Sequence, residues 1–300
     1  MDSELTSGAR DDMPAAEVEI DVDLVRRLVE SQRPDLSKGE ITPLAFGWDN
    51  VSFRIGERRI ARLPRRELAV ELISNEATWL PELAPSLPLP VPAPEFRGEP
   101  GEGYPWPWLI APLLPGEPAA YCAFDTTAAA RQLGQFLRSL HRPAPVDAPR
   151  NPFRGGPLSS RADGAFDRFP IVTDSANGRR LEDLFRQSME APVHSGAPVW
   201  LHGDLHPLNI LVEDGAVSAV VDFGDITAGD PATDLSAGWS LVADAHEEFW
   251  RAYGRGDDSL RLRARGWAIA LGLGFVDNSA DHPTMGRIGQ DMVRAVLDLS

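Results

Sequence analysis

The chain has 300 residues, 43% hydrophobic and 25% charged, which excludes wholesale disorder and collagen-like repetition and allows one large domain or two modest ones. Its 45 acidic against 29 basic residues give a net charge of −16, which argues against attraction to nucleic acid or an anionic membrane and favours cationic or neutral ligands. A single cysteine, Cys122, leaves no intramolecular disulfide and suits a reducing, cytoplasmic setting; no 18-residue apolar run is present, and residues 1–16 carry acids where a secretory signal needs a basic start.

Residues 1–18 are polar, small and acidic and read as a flexible tail. A helix follows, capped by Asp21 or Asp23 and striped by Leu24, Val25, Leu28 and Val29, and Pro34 ends it. Three strands are predicted at 41–46, 51–55 and 59–63, separated by Gly47-Trp48-Asp49-Asn50 and Gly56-Glu57-Arg58, as an antiparallel meander. From Arg66 to about Ala84 the period becomes helical, with Leu68, Leu72, Ile73, Trp79, Leu80 and Leu83 on one side. A proline-studded stretch at 87–94 leads to two further strands, 95–97 and 108–114.

Beyond Pro115-Gly116 the pattern is mainly helical. Helices are predicted at 125–142 (capped by Asp125, with Leu133, Phe136, Leu137 and Leu140 inward), 179–190, 231–253, 259–275 and 285–297. Residues 143–157 read as a loop, and Trp239, Trp250 and Trp267 as core. One exception is a hairpin, 208–212 with 217–221, turned through Asp214-Gly215. The chain is therefore predicted to be α+β: a tail at 1–18, a small antiparallel-sheet lobe at 19–112 and a larger helical lobe at 113–300.

Polar residues flank that hairpin without a packing reason: His202-Gly203-Asp204-Leu205-His206-Pro207-Leu208-Asn209 before it, Asp222-Phe223-Gly224 after it. Asp204 and Asn209 keep the spacing of the catalytic loop H-R-D-x-x-x-x-N, in which Asp accepts a hydroxyl proton and Asn holds a metal. The hairpin returns the chain to Asp222, so three oxygen-bearing side chains can converge, a donor set suited to Mg²⁺ carried on nucleotide phosphates.

With this H-G-D-x-x-x-x-N loop, the D-x-G at 222–224, Gly229-Asp230-Pro231 and Asp234-Leu235, the chain resembles the aminoglycoside phosphotransferase family over roughly residues 36–300. The resemblance implies a bilobal protein-kinase-like fold, Asp204 as catalytic base, and Asn209 and Asp222 as Mg²⁺ ligands. It also implies a third-strand cation on the phosphates of ATP or GTP, held by a helix glutamate. Lys38, the only lysine, precedes the first strand, so Arg62 takes that place, with Glu76, set between Leu72, Ile73, Trp79 and Leu80, as its partner. Asn50, in the phosphate-covering turn, and Ala111 to Leu113, in the inter-lobe linker, complete the nucleotide-binding set; His202 braces the loop.

The implied activity is transfer of the γ-phosphoryl group of ATP or GTP to a small-molecule hydroxyl. An aminoglycoside-like amino sugar leads, because Asp225 and Asp277 could face a cationic acceptor. A macrolide or metabolite alcohol is the alternative acceptor; a nucleotide-binding pseudokinase is the alternative of another class, and a metallophosphatase on Asp204-x-His206 a weaker one.

Overall fold

The computed structural model describes residues 15–172, 175–280 and 282–300. Most of the expected tail lies outside the described residues. Its end is not loose: the Glu17 N–H bonds Arg65 O at 2.9 Å, the Glu67 N–H bonds the Glu17 carboxylate at 3.0 Å, and Val18 packs on the small-lobe core.

Helix α1 (Val22–Gln32) starts where Asp21 accepts the Leu24 N–H at 2.7 Å, and its four apolar residues are buried against the sheet. The sheet comprises β1 (Ile41–Phe46), β2 (Asn50–Ile55), β3 (Arg59–Pro64), β4 (Phe96–Gly98) and β5 (Trp108–Pro112), all antiparallel in the order β1-β2-β3-β5-β4. Alternation decides the chemistry here. Val51, Phe53, Ile55, Ala61 and Leu63 pack with α1, and Arg62, between the last two, must point to the opposite face.

Opposite Arg62 lies α2 (Val70–Leu83), whose buried residues are Ile73, Glu76, Leu80 and Leu83, one stripe with a carboxylate inside it. The expected stripe begins too early: Leu68 lies in a short 3₁₀ turn and is exposed. The expected lobe boundary at 112/113 also fails to divide the packing, since Leu80, Leu83, Leu89 and Val91 belong to the large core of the helical lobe.

That lobe comprises β6 (Glu117–Pro118), α3 (Thr126–Leu140), α4 (Ala162–Val172), α5 (Ser175–Met189), β7 (Val199–Leu201), β8 (Ile210–Glu213), β9 (Ala216–Val220), β10 (Thr227–Gly229), α6 (Ala232–Leu235), α7 (Gly238–Leu241), α8 (His246–Tyr253), α9 (Asp258–Asp277) and α10 (Pro283–Asp298). Helix α9 is the hub, with α4, α5, α6 and α10 around it and Trp267 fully buried. The single helix expected at 231–253 is three pieces. Residues 232–239 are buried all round, so they carry no amphipathic stripe to fix one axis. Helix α4 escapes the sequence reading because Gly164 and Pro170 dilute its helical signal, and β6, β7 and β10 are too short to show a period. No helix among the described residues is long and apolar enough to cross a membrane.

Candidate active site

Strands β7 and β10 pair antiparallel and hold the two ends of the site, residues 202–209 and 222–226, side by side. Gly203 lies between them at φ 89°, where a Cβ would stand 2.3 Å from Asp225 O, so the loop needs glycine both for its backbone and for the close approach. Asp234 fastens the loop from below: its carboxylate accepts the backbone N–H groups of His202 (2.7 Å) and Gly203 (2.9 Å). It also meets His141 Nε2 at 3.2 Å, whose Nδ1 is 3.0 Å from the Tyr253 hydroxyl. Burial opposes ionisation of Asp234, but these hydrogen bonds and the nearby imidazoles hold its pKa below the ordinary value.

His202 Nδ1 accepts the Asp204 N–H at 3.2 Å, which leaves Nε2 to donate to Val221 O at 3.0 Å. The ring thus ties the two halves of the site together. Asp204 itself takes Arg154 Nη2 on Oδ1 at 3.0 Å and His206 Nε2 on Oδ2 at 3.2 Å. Burial works against its charge, yet His206 and Arg154 outweigh it and hold the carboxyl well below the usual carboxylate range. Asp204 is thus ionised at neutral pH, and its side chain is still 26% exposed, open to a hydroxyl.

Asn209 gives its amide N–H to Asp204 O at 2.8 Å, committing its nitrogen end to the loop, so Oδ1 is the end that could take a metal. The β8–β9 hairpin turns through Asp214 (φ 52°) and Gly215 (φ 79°), both left-handed as a two-residue type I′ turn requires, and the Val221 N–H bonds Asn209 O at 2.9 Å. Asp222, at φ 63°, then projects its half-exposed carboxylate into the cleft between the lobes.

Arg62 crosses that cleft. Its Nη1 bonds both Glu76 oxygens at 2.6 and 2.7 Å, and its Nη2 bonds Asp222 Oδ1 at 2.8 Å. Complete burial pushes the Glu76 carboxyl up to about 7 against the pull of Arg62, whereas Arg62, despite burial, is held charged by Glu76 and Asp222. Arg62 Nη2 therefore rests on an expected metal ligand, a contact that spacing along the chain did not suggest. The oxygens available from Asn209 and Asp222 suit a hard cation such as Mg²⁺. No group of three or more His, Cys, Asp or Glu side chains that could hold a metal gathers among the described residues.

The other expected site residues lie as follows. Asn50 opens β2 with its Oδ1 buried and without a partner among the described residues, beneath a turn clamped by Arg65 Nη1 on Gly47 O (2.9 Å) and by Arg66 on Asp49. Ala111 pairs with Ile60 in the sheet, and the Leu113 N–H is donated to Arg58 O at 2.8 Å, so that N–H is spent on the sheet and not on a base. Asp225 accepts Asn151 Nδ2 at 2.6 Å; burial raises its pKa although Arg154 is near. Asp277 is paired with Arg168 at 2.8 Å. Both acids expected to face acceptor amines therefore already have partners. The sequence reading missed Arg154 as a contact of Asp204; the run Arg150, Arg154, Arg161, Arg168 in a lysine-poor acidic chain was the available signal.

Residues 40–267 match the family model described as the phosphotransferase enzyme family. Viomycin phosphotransferase of Streptomyces vinaceus is 30% identical over 201 residues, 61% of this chain and 67% of that protein. An aminoglycoside 3'-phosphotransferase of Escherichia coli is 24% identical over 179 residues, 57% of this chain and 64% of that protein, so the match spans about two thirds of the relatives' length. The fold is that of the GDP complex of aminoglycoside 2'-phosphotransferase-IIIa (TM-score 0.70, 18% identity, 94% of this chain and 100% of that one). A macrolide 2'-phosphotransferase from Brachybacterium faecium has the same fold (TM-score 0.63, 24% identity, 91% and 97%).

Proposed function

Because the chain belongs to the phosphotransferase enzyme family, we propose that it moves the γ-phosphoryl group of ATP or GTP onto a hydroxyl of a small molecule, with Asp204 as proton acceptor. The observation that carries this reading is the ionised, partly open Asp204 carboxylate on a loop tied by His202 to Val221 O, next to Asp222, whose carboxylate meets Arg62 across the cleft. Asp204 takes the hydroxyl proton as the acceptor oxygen bonds the γ-phosphorus; the bond from that phosphorus to the bridging oxygen breaks, and the nucleoside diphosphate leaves. Asn209 and Asp222 would hold Mg²⁺, which when bound neutralises charge on the phosphates. Arg62, held by Glu76, orients the phosphate chain with its remaining N–H groups. Nucleotides named with solved relatives, GDP and ATP, support a nucleoside triphosphate donor without choosing between the two.

For the acceptor, the names of relatives and the net charge of −16 support an aminoglycoside-like amino sugar, with a macrolide hydroxyl next. A metabolite alcohol is the second reading, favoured by the occupied state of Asp225 and Asp277 and by the arginines around Asp204. The test is a phosphorylation screen of amino sugars, macrolides and metabolite alcohols with both nucleotides, run beside Asp204→Asn. The variant is expected to bind nucleotide like the parent and to lose turnover by about 10²–10⁴-fold. Equal turnover would remove Asp204 from the reaction.

A further inference from the structure

In a chain of net charge −16, Arg161 lies within electrostatic reach of two further arginines, Arg168 and the Arg154 that bonds the Asp204 carboxylate. Arg154 reaches Asp204 from the loop after α3, Arg161 ends the 3₁₀ turn that leads into α4, and Arg168 lies seven residues on, near the same side of the helix. Two of the three are matched by acids, Arg154 by Asp204 at 3.0 Å and Arg168 by Asp277 at 2.8 Å. Arg161 has no carboxylate or hydrogen-bond partner among the described residues, and its Nε is buried. The Nε of Arg154 is likewise buried and unpartnered. Burial, joined by the like charges of Arg154 and Arg168, holds the Arg161 guanidinium below its ordinary pKa.

A surface arginine with like charges beside it swings into water. Arg161 is walled in at Nε, so part of the cost of desolvation and like-charge repulsion stays with the fold. An anion removes that cost, and the planar guanidinium fork fits a carboxylate or phosphate better than any neutral group. Location narrows the anion's source, because Arg154 already touches the carboxylate that meets the acceptor.

We infer that Arg161, flanked by Arg154 and Arg168, binds an anionic group, carboxylate or phosphate, carried by the acceptor whose hydroxyl meets Asp204. This rests on the phosphotransferase reading with the metabolite alcohol, not the amino sugar, as acceptor, and names that acceptor's class: a hydroxy acid or a phosphorylated alcohol. A polyamine would bring its ammonium groups against Arg161, the one guanidinium of the three without a carboxylate among the described residues.

The test uses the full chain with Mg-ATP and Mg-GTP and acceptors differing only in charge: gluconate and glucose 6-phosphate each against glucose, and glycerate against glycerol, with kanamycin as the polyamine. The anionic member is expected to show kcat/KM at least about tenfold above its neutral partner, the scale of one charge-assisted hydrogen bond. Arg161→Gln should raise the anionic acceptor's KM by about tenfold with a smaller change in kcat, and Arg161→Lys should recover part of the loss. Apart from turnover, calorimetric titration of malonate and inorganic phosphate in the presence of Mg-ADP is expected to register binding by the parent that Arg161→Gln loses. The two anions, like the gluconate and glucose 6-phosphate arms, separate a carboxylate from a phosphate site. Preference for neutral or polyamine acceptors with Arg161→Gln silent, a change confined to nucleotide KM, or no anion bound by the parent would each overturn the inference. Failure of the phosphotransferase reading looks different: anion binding persists while no acceptor is phosphorylated in an Asp204-dependent way.

Discussion

Arg62 and Glu76 form the contact on which charge, burial and position act most directly, at 2.6 Å with both side chains almost fully enclosed. Breaking such a pair strands a charge, so Arg62→Ala and Glu76→Ala should each raise nucleotide KM and lower stability by about 3–5 kcal/mol. The double change should cost less than the sum, with a coupling of about 0.5–3 kcal/mol in a double-mutant cycle read by denaturant unfolding and nucleotide binding. Additive binding effects would make the pair irrelevant to the phosphates. The pH dependence separates two consequences of the same carboxyl. Burial raises Glu76 from 4.5 to about 7, so the folded state holds its proton more tightly than the unfolded one. Its contribution to stability is therefore full below about 4.5 and lost as pH rises through about 7. Nucleotide affinity should move the other way, rising as Glu76 ionises and fixes Arg62, and Glu76→Gln should flatten both profiles. The identities of these two residues were legible in the sequence: a third-strand cation and a carboxylate inside an apolar stripe. The Arg62 bond to Asp222 was not, because 160 residues separate them and only lobe docking brings them together.

Two glycines show how elements, rather than single side chains, set the geometry. Gly203 and Gly215 share a left-handed backbone, φ 89° and 79°, so alanine is strained at either by about 1–2 kcal/mol. Their surroundings differ: an added Cβ at Gly215 meets nothing within 4 Å, whereas at Gly203 it would strike Asp225 O. Gly215→Ala should therefore lower the unfolding temperature modestly and leave kcat near the parent's. Gly203→Ala should displace the loop and reduce kcat by about 10²-fold or more, since misplacement of about 1 Å costs that much. Comparable kcat in the two variants would show that β7 and β10 do not fix the loop. The hairpin, the capped helices and the meander were legible because period and cap residues are local signals. The three-residue strands β7 and β10 were not, since their pairing is decided by what docks around them.

Across the whole molecule the lobes share packing as well as a cleft. Leu80 and Leu83 start from the small-lobe side of the chain and finish in the large helical core, while Leu28 and Phe53 belong to the separate core under the sheet. Leu80→Ala should cost about 2–5 kcal/mol as a buried large-to-small change. Because α2 joins both bodies, unfolding should remain one transition, equal by calorimetry and near-ultraviolet circular dichroism. Two resolved transitions in the parent would mean that the cores are independent.

Local patterns in the sequence determined the α+β class, the five strands of the small lobe with the first three as an antiparallel meander, and the spacing that puts Asp204, Asn209 and Asp222 on either side of one hairpin. Periodicity, caps and turn residues act over a few positions and need no partner to be read. Tertiary structure alone decided that Asp234 holds the loop backbone, that Arg154 holds Asp204, that Asp225 and Asp277 are already occupied, and that Arg161 is left without a carboxylate among the described residues. The reason is physical: whether a charged side chain has a partner depends on burial and on groups far away in the chain, and neither is a property of its neighbours in sequence.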